Sequence, residues 1–501
     1  MARAAPRPPP AGARRVQRRR RLRSAGTGPF ASPRRSLCGT IAAVLRADVL
    51  AALLGGRLEA PPDARLELRN LVSDSQQVSP GGAFIALPGE RMDGHAFVAD
   101  AARRGARLAI VSAGFVAGEE VPPLLIRVAD PAAALREACS RHLVELGCTV
   151  VGITGSVGKT TAKEMCALAL GGRPTSRTPG NLNTWTQIPL HVLGLEPPVE
   201  RLVVEMAMTA RGEIADLAAF THPQVGALLN IGPAHIGRLG SLEAIADAKA
   251  ELLDALPERG AAILNADDPR VVGVAARSRA PVRWFGMGGT APWRVEEVEV
   301  EGVWGTRATL VGPDGRAPLR LRGPGRHLLA DAAAAAAVAA ALGVGIAEVA
   351  SRLSEFAPAT HRGQVFRTPS GASVIDDSYN SSPPSLAAAL DALAASLAPV
   401  RLAVIGDMLE LGDHALEAHR EAGRHAARAA TRLIAVGANA GVMAGAAIAA
   451  GMPDTAVERA PDADAAAVLA VRRAAPGTAV LVKGSRALHL ETVVQRLRDD
   501  A

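Results

Sequence analysis

The sequence predicts an α/β protein of three domains, two of them built on parallel sheets. Three observations predict it. At 501 residues the chain is too long for a single core. From about residue 131 onward, short apolar runs alternate with helical segments. Each run ends where a polar or glycine-rich loop begins, the layout of a parallel sheet with ligand sites at its strand C-termini. One junction, VVGITGSVGKTTAKEM (150–165), passes from strand through a glycine-rich turn into a helix start. A junction of that kind grips the phosphates of a nucleotide.

Residues 1–37 form a basic Pro/Arg-rich tail, excluded from the fold. Residues 1–35 hold 11 arginines and no acid, and they lack the apolar core of a secretory signal. The tail is read as an extension from an upstream start, with a disordered basic arm and an organelle transit peptide as alternatives. Residues 38–130 form a first domain of mixed pattern. TIAAVLRADVLAALLGG (40–56) reads as a helix ending in glycines, and AFIALPGE and RLAIVSA as short strands. Residues 131–356 form the central domain, with strands VVGIT, RLVVEMA, VGALLNI and AAILNA and an alanine-rich helix ending at Gly343. APATHRGQV (357–365) reads as a hinge. Residues 357–501 then form a smaller doubly wound domain with strands ASVIDDS, RLAVIGD, RLIAVGA and AVLVKGS.

Composition narrows the function classes. Hydrophobic content of 49% with 21% charged residues fits a soluble globular enzyme, and no run of about 18 uncharged apolar residues is long enough to span a membrane. The net charge of +7 resides in the tail. Without those 11 arginines, 45 basic residues stand against 49 acidic ones, so composition implies no nucleic-acid surface. Cys38, Cys139, Cys148 and Cys166 show no paired close spacing, which points to reduced thiols in a cytoplasmic protein.

The chemistry-bearing residues cluster around three strand ends. The strict phosphate-loop pattern G-x-x-x-x-G-K-[ST] fails at Ile153, but Gly155, Ser156, Val157, Gly158, Lys159, Thr160 and Thr161 keep its second half. Backbone N–H groups of such a turn face an anion, the lysine reaches the β/γ-phosphates, and the threonine hydroxyl ligates Mg²⁺. The plain alternative is a tight strand–helix turn with a solvent-facing lysine. Glu205 closes the strand RLVVE, where an acid is well placed for Mg²⁺, although a helix cap or surface ion pair would look the same. In LLNIGPAHIGRLGSLEAIADAKAEL, a buried strand ends at Asn230, His235 follows in a loop, and Ser241 caps a helix with Glu243 in its first turn. Lys249 on that helix reads, taken bare, as a solvated lysine.

These stretches, in this order and spacing, resemble the Mur ligases, ATP-dependent amide ligases of peptidoglycan synthesis. The resemblance runs from about residue 40 to 495 and continues in ILNADDPR, GPGRHLLADAAAAAAVAAALG, VIDDSYNSSPPSLAAAL, AVIGDMLELG and VLVKGSR. The last three look most like the branch that adds D-alanyl-D-alanine to UDP-N-acetylmuramoyl-tripeptide through an acyl phosphate. DSQQVSPGGAFIALPGERMDGHAFVADAARRGA resembles that branch's UDP-sugar-binding domain. The resemblance implies ATP and two Mg²⁺ ions held by Thr160, Glu205, His235 and Lys249, the last as a carbamate made with CO₂. It implies catalytic roles for Lys159, His235 and Lys249. It puts Asn265, Arg362, Asp377 and Asn380 with Gly155–Thr161 at the nucleotide, Asn265 being equally a turn former from its neighbours. It puts Ser75, Asn181, Asn183, Lys483 and Ser485 at the substrates, with Arg486 beside them. A cytoplasmic monomer is expected.

The chain departs from the family at four places. GNLN is followed by Thr184, Trp185, Thr186 and Gln187, which by analogy face the substrate. The family's HNxxN reads His327-Leu328-Leu329-Ala330-Asp331, without the asparagines that meet adenine. The arginine expected after Asp74-Ser75 is Gln76, and Glu205-Met206-Ala207-Met208 is a mild change. The alternatives are a sister amide ligase with another acceptor, such as a folylpolyglutamate synthase-like enzyme, and a nucleotide-binding scaffold that has lost catalysis.

Overall fold

Strand pairing in the computed structural model, which describes residues 45–89 and 92–499, divides the chain among three main sheets. The basic tail, Cys38 and the start of the predicted first helix lie outside the described residues.

The first region holds a two-stranded ladder, β1 (Leu45–Arg46) with β3 (Glu67–Leu68), and a five-stranded sheet. That sheet runs β2 (Arg57–Glu59), β7 (Leu124–Val128), β6 (Leu108–Ser112), β5 (Ala83–Ile85), β4 (Leu71–Val72), parallel except at β2. The predicted helix at 40–56 is shorter than read. Arg46 is used by the ladder, so the helix spans Ala47–Leu54 and stops at Gly55, whose φ of +61° suits glycine.

The central sheet orders its nine strands β16 (Gly315–Arg322), β15 (Gly305–Gly312), β14 (Trp293–Val300), β13 (Val282–Gly286), β12 (Ala261–Asn265), β11 (Val225–Leu228), β8 (Thr149–Thr154), β10 (Arg201–Glu205), β9 (Thr175–Arg177). From β9 to β14 every pairing is parallel. β8, β10 and β11 are buried along their length, as a parallel sheet covered on both faces requires. The chain order breaks around β8, and ligands of open α/β sheets bind at such a switch point.

The structure differs from the sequence expectation at two places in this sheet. Strand–helix alternation does not persist to residue 356, because β14, β15 and β16 form an antiparallel extension. Their alternating burial marks a sheet with one wet face, and Gly312-Pro-Asp-Gly315 supplies the turn. The strand expected to end at Asn230 ends at Leu228, which frees Leu229 and Asn230 for the loop that follows.

One face of the central sheet is packed by helices Lys159–Ala169 and His327–Ala341. Ala332–Ala337 are all buried, and with no side chain beyond Cβ the second helix can approach its neighbours closely. Gly343 follows that helix at φ +79°, as its place after the alanines predicts.

The third sheet orders β17 (Gln364–Arg367), β18 (Ser373–Asp376), β22 (Thr478–Lys483), β19 (Val400–Gly406), β20 (Arg432–Val436), β21 (Val457–Ala460), parallel apart from the edge strand β17. Helices on both faces give it two cores, which is the doubly wound form. The described residues form one compact unit. Val303, from the β14–β15 connection, is buried in the core of this third region. No helix among the described residues is long and apolar enough to cross a membrane.

Candidate active site

β8 ends at Thr154, and Gly158 turns the chain at φ +83° into the helix Lys159–Ala169. Gly158 is the helix N-cap and offers no side-chain acceptor, so the first-turn N–H groups stay free for an anion. Asn230 clamps the loop from β11. Its Oδ1 accepts from the Ser156 and Val157 N–H groups at 3.0 and 2.9 Å, and its Nδ2 donates to the Val157 carbonyl at 3.0 Å. Ser156 closes the same contact by donating from Oγ to the Gly232 carbonyl at 2.9 Å. The loop is therefore held in shape before any ligand arrives.

Two lysines meet beneath it. Lys159 Nζ donates to the Gly155 carbonyl at 2.8 Å and Lys249 Nζ to the same oxygen at 3.0 Å. Lys249 is 2% exposed, so it is not the solvated helix lysine its bare sequence context allows. Burial, reinforced by the Lys159 ammonium, holds the Lys249 amine well below the ordinary lysine value. Burial also lowers Lys159, against the pull of Glu205 and with a push from Arg362.

Glu205, at the end of β10, is a buried carboxylate rather than a cap or surface ion pair. It accepts from Thr160 Oγ1 at 2.7 Å and from Asn183 Nδ2 at 2.9 Å. Lys163, one turn beyond Lys159, is wholly buried and donates to the Gly180 carbonyl at 2.5 Å. That bond ties the 180–183 loop to the phosphate-loop helix, and the Asn183–Glu205 bond ties it to the end of β10. His235 stands at φ +63° before the short helix Ile236–Leu239, and burial lowers its imidazole while Glu410 opposes the shift. Ser241 caps the next helix by accepting from the Ala244 N–H at 3.1 Å, as predicted.

The opposite wall comes from the C-terminal sheet. Lys483, at the end of β22, donates to Asp377 Oδ2 at 2.5 Å and to the Asn380 carbonyl at 3.0 Å. The Arg362 guanidinium lies 4.0 Å over the Tyr379 ring, and Arg486 flanks the same ring at 5.6 Å. Ser485 Oγ accepts from the Leu409 N–H at 2.9 Å. Between the two walls lies a cleft of about 920 Å³.

Comparison with known proteins agrees with this layout. Three family models match in series: "Mur ligase family, catalytic domain" over residues 67–143, "Mur ligase middle domain" over 153–339, and "Mur ligase, glutamate ligase domain" over 361–486. The UDP-N-acetylmuramoyl-tripeptide–D-alanyl-D-alanine ligase of Mycobacterium tuberculosis is 35% identical across 90% of this chain and 97% of its own. The chain belongs to the Mur ligase family. The enzyme of the same name from Escherichia coli is 31% identical over 90% of this chain and 98% of its own. Crystal structure II of MurF from Acinetobacter baumannii superposes with a TM-score of 0.81 at 29% identity, covering 91% of this chain and 99% of that one. MurF of Thermotoga maritima, solved with ADP, gives 0.74 at 29% identity, covering 86% and 97%. A folylpolyglutamate synthase of M. tuberculosis, at 18% identity and 0.57, shares the fold.

Most residues singled out from the sequence converge on the cleft of this Mur ligase. Ser156 to Thr161, Asn181, Asn183, Glu205, His235, Asn265, Arg362, Asp377, Asn380, Lys483 and Ser485 all line it. Three do not. Gly155 and Lys249 lie under the loop rather than on the cleft wall. Ser75 is buried in the first region, donating to Asp100 Oδ2 at 2.7 Å. Asn265 does two things: Nδ2 donates to the Leu229 carbonyl at 2.9 Å and Oδ1 accepts from the Asp267 N–H at 2.9 Å, so the turn-forming alternative also holds. Thr184, Trp185 and Thr186 face the cleft, whereas Gln187 turns back to accept from the Asn183 N–H at 3.3 Å. The loop clamp Asn230, the buried Lys163 and the cross-cleft Glu410 escape sequence reasoning. For Asn230 a signal existed, since an amide just after an apolar strand needs a polar partner.

The donor set fits Mg²⁺. Among the described residues no group of three or more His, Cys, Asp or Glu side chains could enclose an ion. The cleft offers instead a hydroxyl and a carboxylate 2.7 Å apart beside an anion-binding turn. Mg²⁺ is commonly held that way, by one or two protein oxygens completed by phosphate and water.

Proposed function

We propose that the chain is an ATP-dependent amide ligase that joins D-alanyl-D-alanine to UDP-N-acetylmuramoyl-tripeptide, releasing ADP and phosphate. One observation carries the reading: the phosphate loop with Thr160 and Glu205 faces the cationic wall of Lys483 and Arg362 across a single cleft. Relatives named for this activity match the chain over nearly their whole length.

In this reading a carboxylate oxygen of the tripeptide attacks the γ-phosphorus of ATP. The bond to the bridging oxygen breaks and ADP leaves, giving an acyl phosphate. The neutral amine of the dipeptide then attacks the acyl carbon, the bond to the phosphate oxygen breaks, and the amine proton passes to solvent. Carboxylate and γ-phosphate repel each other, so the protein must supply positive charge where they meet. The N–H groups after Gly158 and the Lys159 ammonium supply it from below, Arg362 and Lys483 from above. Asp377 and Asn265 are assigned to the nucleotide together with Asn380. Ser75, Asn181 and Asn183 are assigned to the UDP-substrate, and Ser485 to the dipeptide end. Holding both substrates in attack geometry is itself a large part of catalysis.

Thr160 and Glu205 would hold one Mg²⁺, and His235 with Lys249 a second. Bound there, the metal neutralises phosphate charge and polarises the γ-phosphoryl group. Lys249 suits carbamylation, because burial lowers the proton affinity of its amine, the neutral amine is the nucleophile for CO₂, and the resulting anion offsets the adjacent Lys159. The reading implies a monomeric enzyme in the cytoplasm, where UDP-linked precursors are made. The test is phosphate release with Mg-ATP, the UDP-tripeptide and D-Ala-D-Ala, omitting each in turn. Release that needs all three, with a pentapeptide product by mass, supports it. Release with a different acceptor, such as a folate, assigns a sister ligase, and ATP binding without turnover assigns a scaffold.

A further inference from the structure

Two non-glycine residues in the left-handed backbone region face each other across the cleft. His235 stands at φ +63° on the middle domain and Glu410 at φ +65° on the C-terminal domain. The imidazole Nδ1 lies 3.0 Å from Glu410 Oε2, out of line for a hydrogen bond, and among the described residues no other partner reaches that buried nitrogen. A β-carbon disfavours this backbone region, and such outliers persist where the surroundings over-determine them, often at functional sites.

The surroundings here do so. The loop carrying Glu410 is pinned by His419 Nε2 accepting from the Met408 N–H at 2.9 Å and by Ser485 Oγ accepting from the Leu409 N–H at 2.9 Å. Its far end meets the middle domain backbone to backbone. A β-carbon on Gly237 would stand 3.2 Å from both the Glu410 carbonyl and the Gly412 nitrogen. An exposed ion pair adds little to stability, so these features are not accounted for by the pair's own energy.

We infer that Glu410 is a positioning residue, supplied by the C-terminal domain across the cleft, that fixes the His235 ring through Nδ1 so that its other nitrogen is presented to a metal ion. A small turn of the ring converts the 3.0 Å contact into the carboxylate–histidine bond that metal-ligating imidazoles commonly make. The metal site is then complete only when the C-terminal domain sits over the middle domain. The inference rests on His235 being a metal ligand, as proposed above.

The experiment is Mn²⁺ binding to the full chain with ADP present, followed by loss of the free-ion EPR signal. The proteins compared are wild type, Glu410→Gln, His235→Ala and the double variant. The Glu410 side chain is 57% exposed, so the substitution leaves folding intact, which ADP affinity without metal verifies. Glu410→Gln is expected to weaken Mn²⁺ binding about 10-fold, the low end for loss of a residue that orients a metal ligand. In the His235→Ala background the same substitution adds nothing. Wild-type Mn²⁺ binding by Glu410→Gln, with a loss in His235→Ala, overturns the inference and leaves the His235 reading standing. Losses that add in the double variant also overturn it, since Glu410 would then act independently. Wild-type binding by His235→Ala removes the reading on which the inference rests.

Discussion

Lys159 and Lys249 donate to one oxygen, the carbonyl of Gly155, at 2.8 and 3.0 Å. A single carbonyl cannot neutralise two ammonium groups, and Lys249 is nearly sealed from water, so its amine is driven toward the neutral form. With its folded value below its unfolded value, Lys249 binds fewer protons in the native state, so native stability rises with pH up to about 10.4. In CO₂-free buffer, Lys249→Met is expected to raise unfolding free energy at pH 7 by roughly 1–3 kcal/mol, the cost of burying a polar group with incomplete hydrogen bonding. The gain should shrink as pH rises, in urea melts from pH 6 to 10. The same variant should lose ligation, and a small added carboxylate should partly restore turnover in Lys249→Ala. Wild-type rates in either variant would remove the carbamate assignment.

The clamp on the phosphate loop makes a separate prediction. Asn230→Ala would leave the Val157 N–H without its acceptor, a loss that costs about 1–3 kcal/mol when the group is buried, whereas the Ser156 N–H keeps the Asn230 backbone carbonyl at 3.1 Å. ADP affinity by calorimetry should fall at least about 10-fold, equivalent to about 1.4 kcal/mol. Asn230→Asp keeps the acceptor but loses the donor to Val157 and places a negative charge near bound phosphate. It should bind ADP no better than the alanine variant. Unchanged affinity in both would mean the loop holds its shape by itself.

What could be read in advance divides along a physical line. Lys159, Thr160 and Glu205 were legible because strand end, turn and helix start are local, and each residue's chemistry follows from its place at a strand terminus. The burial of Lys249 was not, since a lysine on an amphipathic helix shows its environment only once the helix is packed. Glu410 meets His235 from 175 positions away in sequence, and nothing local to either announces the contact. The antiparallel strands β14 to β16 were legible in principle. WRVEEVEV alternates with period two, and Gly-Pro-Asp-Gly is a turn, but the strong parallel pattern before them set the expectation.

Trp185 stands where the first and middle domains join, packed against the cores of both and facing the cleft, with the Arg136 guanidinium 4.7 Å from its ring. This is the stretch that departs from the family after GNLN. Trp185→Ala should raise KM for the UDP-tripeptide about 10-fold, near the cost of one lost apolar contact in a pocket, while leaving ADP affinity within about 2-fold. Trp185→Phe, which keeps a ring under Arg136, should recover most of the loss. Equal losses in nucleotide and UDP-tripeptide binding would mean the residue holds the domains together rather than contacting substrate.

Asp331 is the sharpest departure from the family pattern, and its environment is measurable. The carboxyl is 7% exposed, and a β-carbon on Gly158 would stand 2.8 Å from its Oδ1. Burial holds the acid well above the ordinary aspartate value. A raised folded value means the native state binds more protons than the unfolded one above about pH 3.9, so this residue lowers native stability as pH climbs through that window. Asp331→Asn should leave stability unchanged near the bottom of the window and gain progressively above it, levelling once pH passes the folded value. The plateau should reach roughly 1–3 kcal/mol, the cost of an unsatisfied buried polar group. Denaturant melts of both proteins from pH 4 to 9 measure the difference directly. A gain that does not vary with pH would mean the carboxyl is charged throughout and solvated from the cleft.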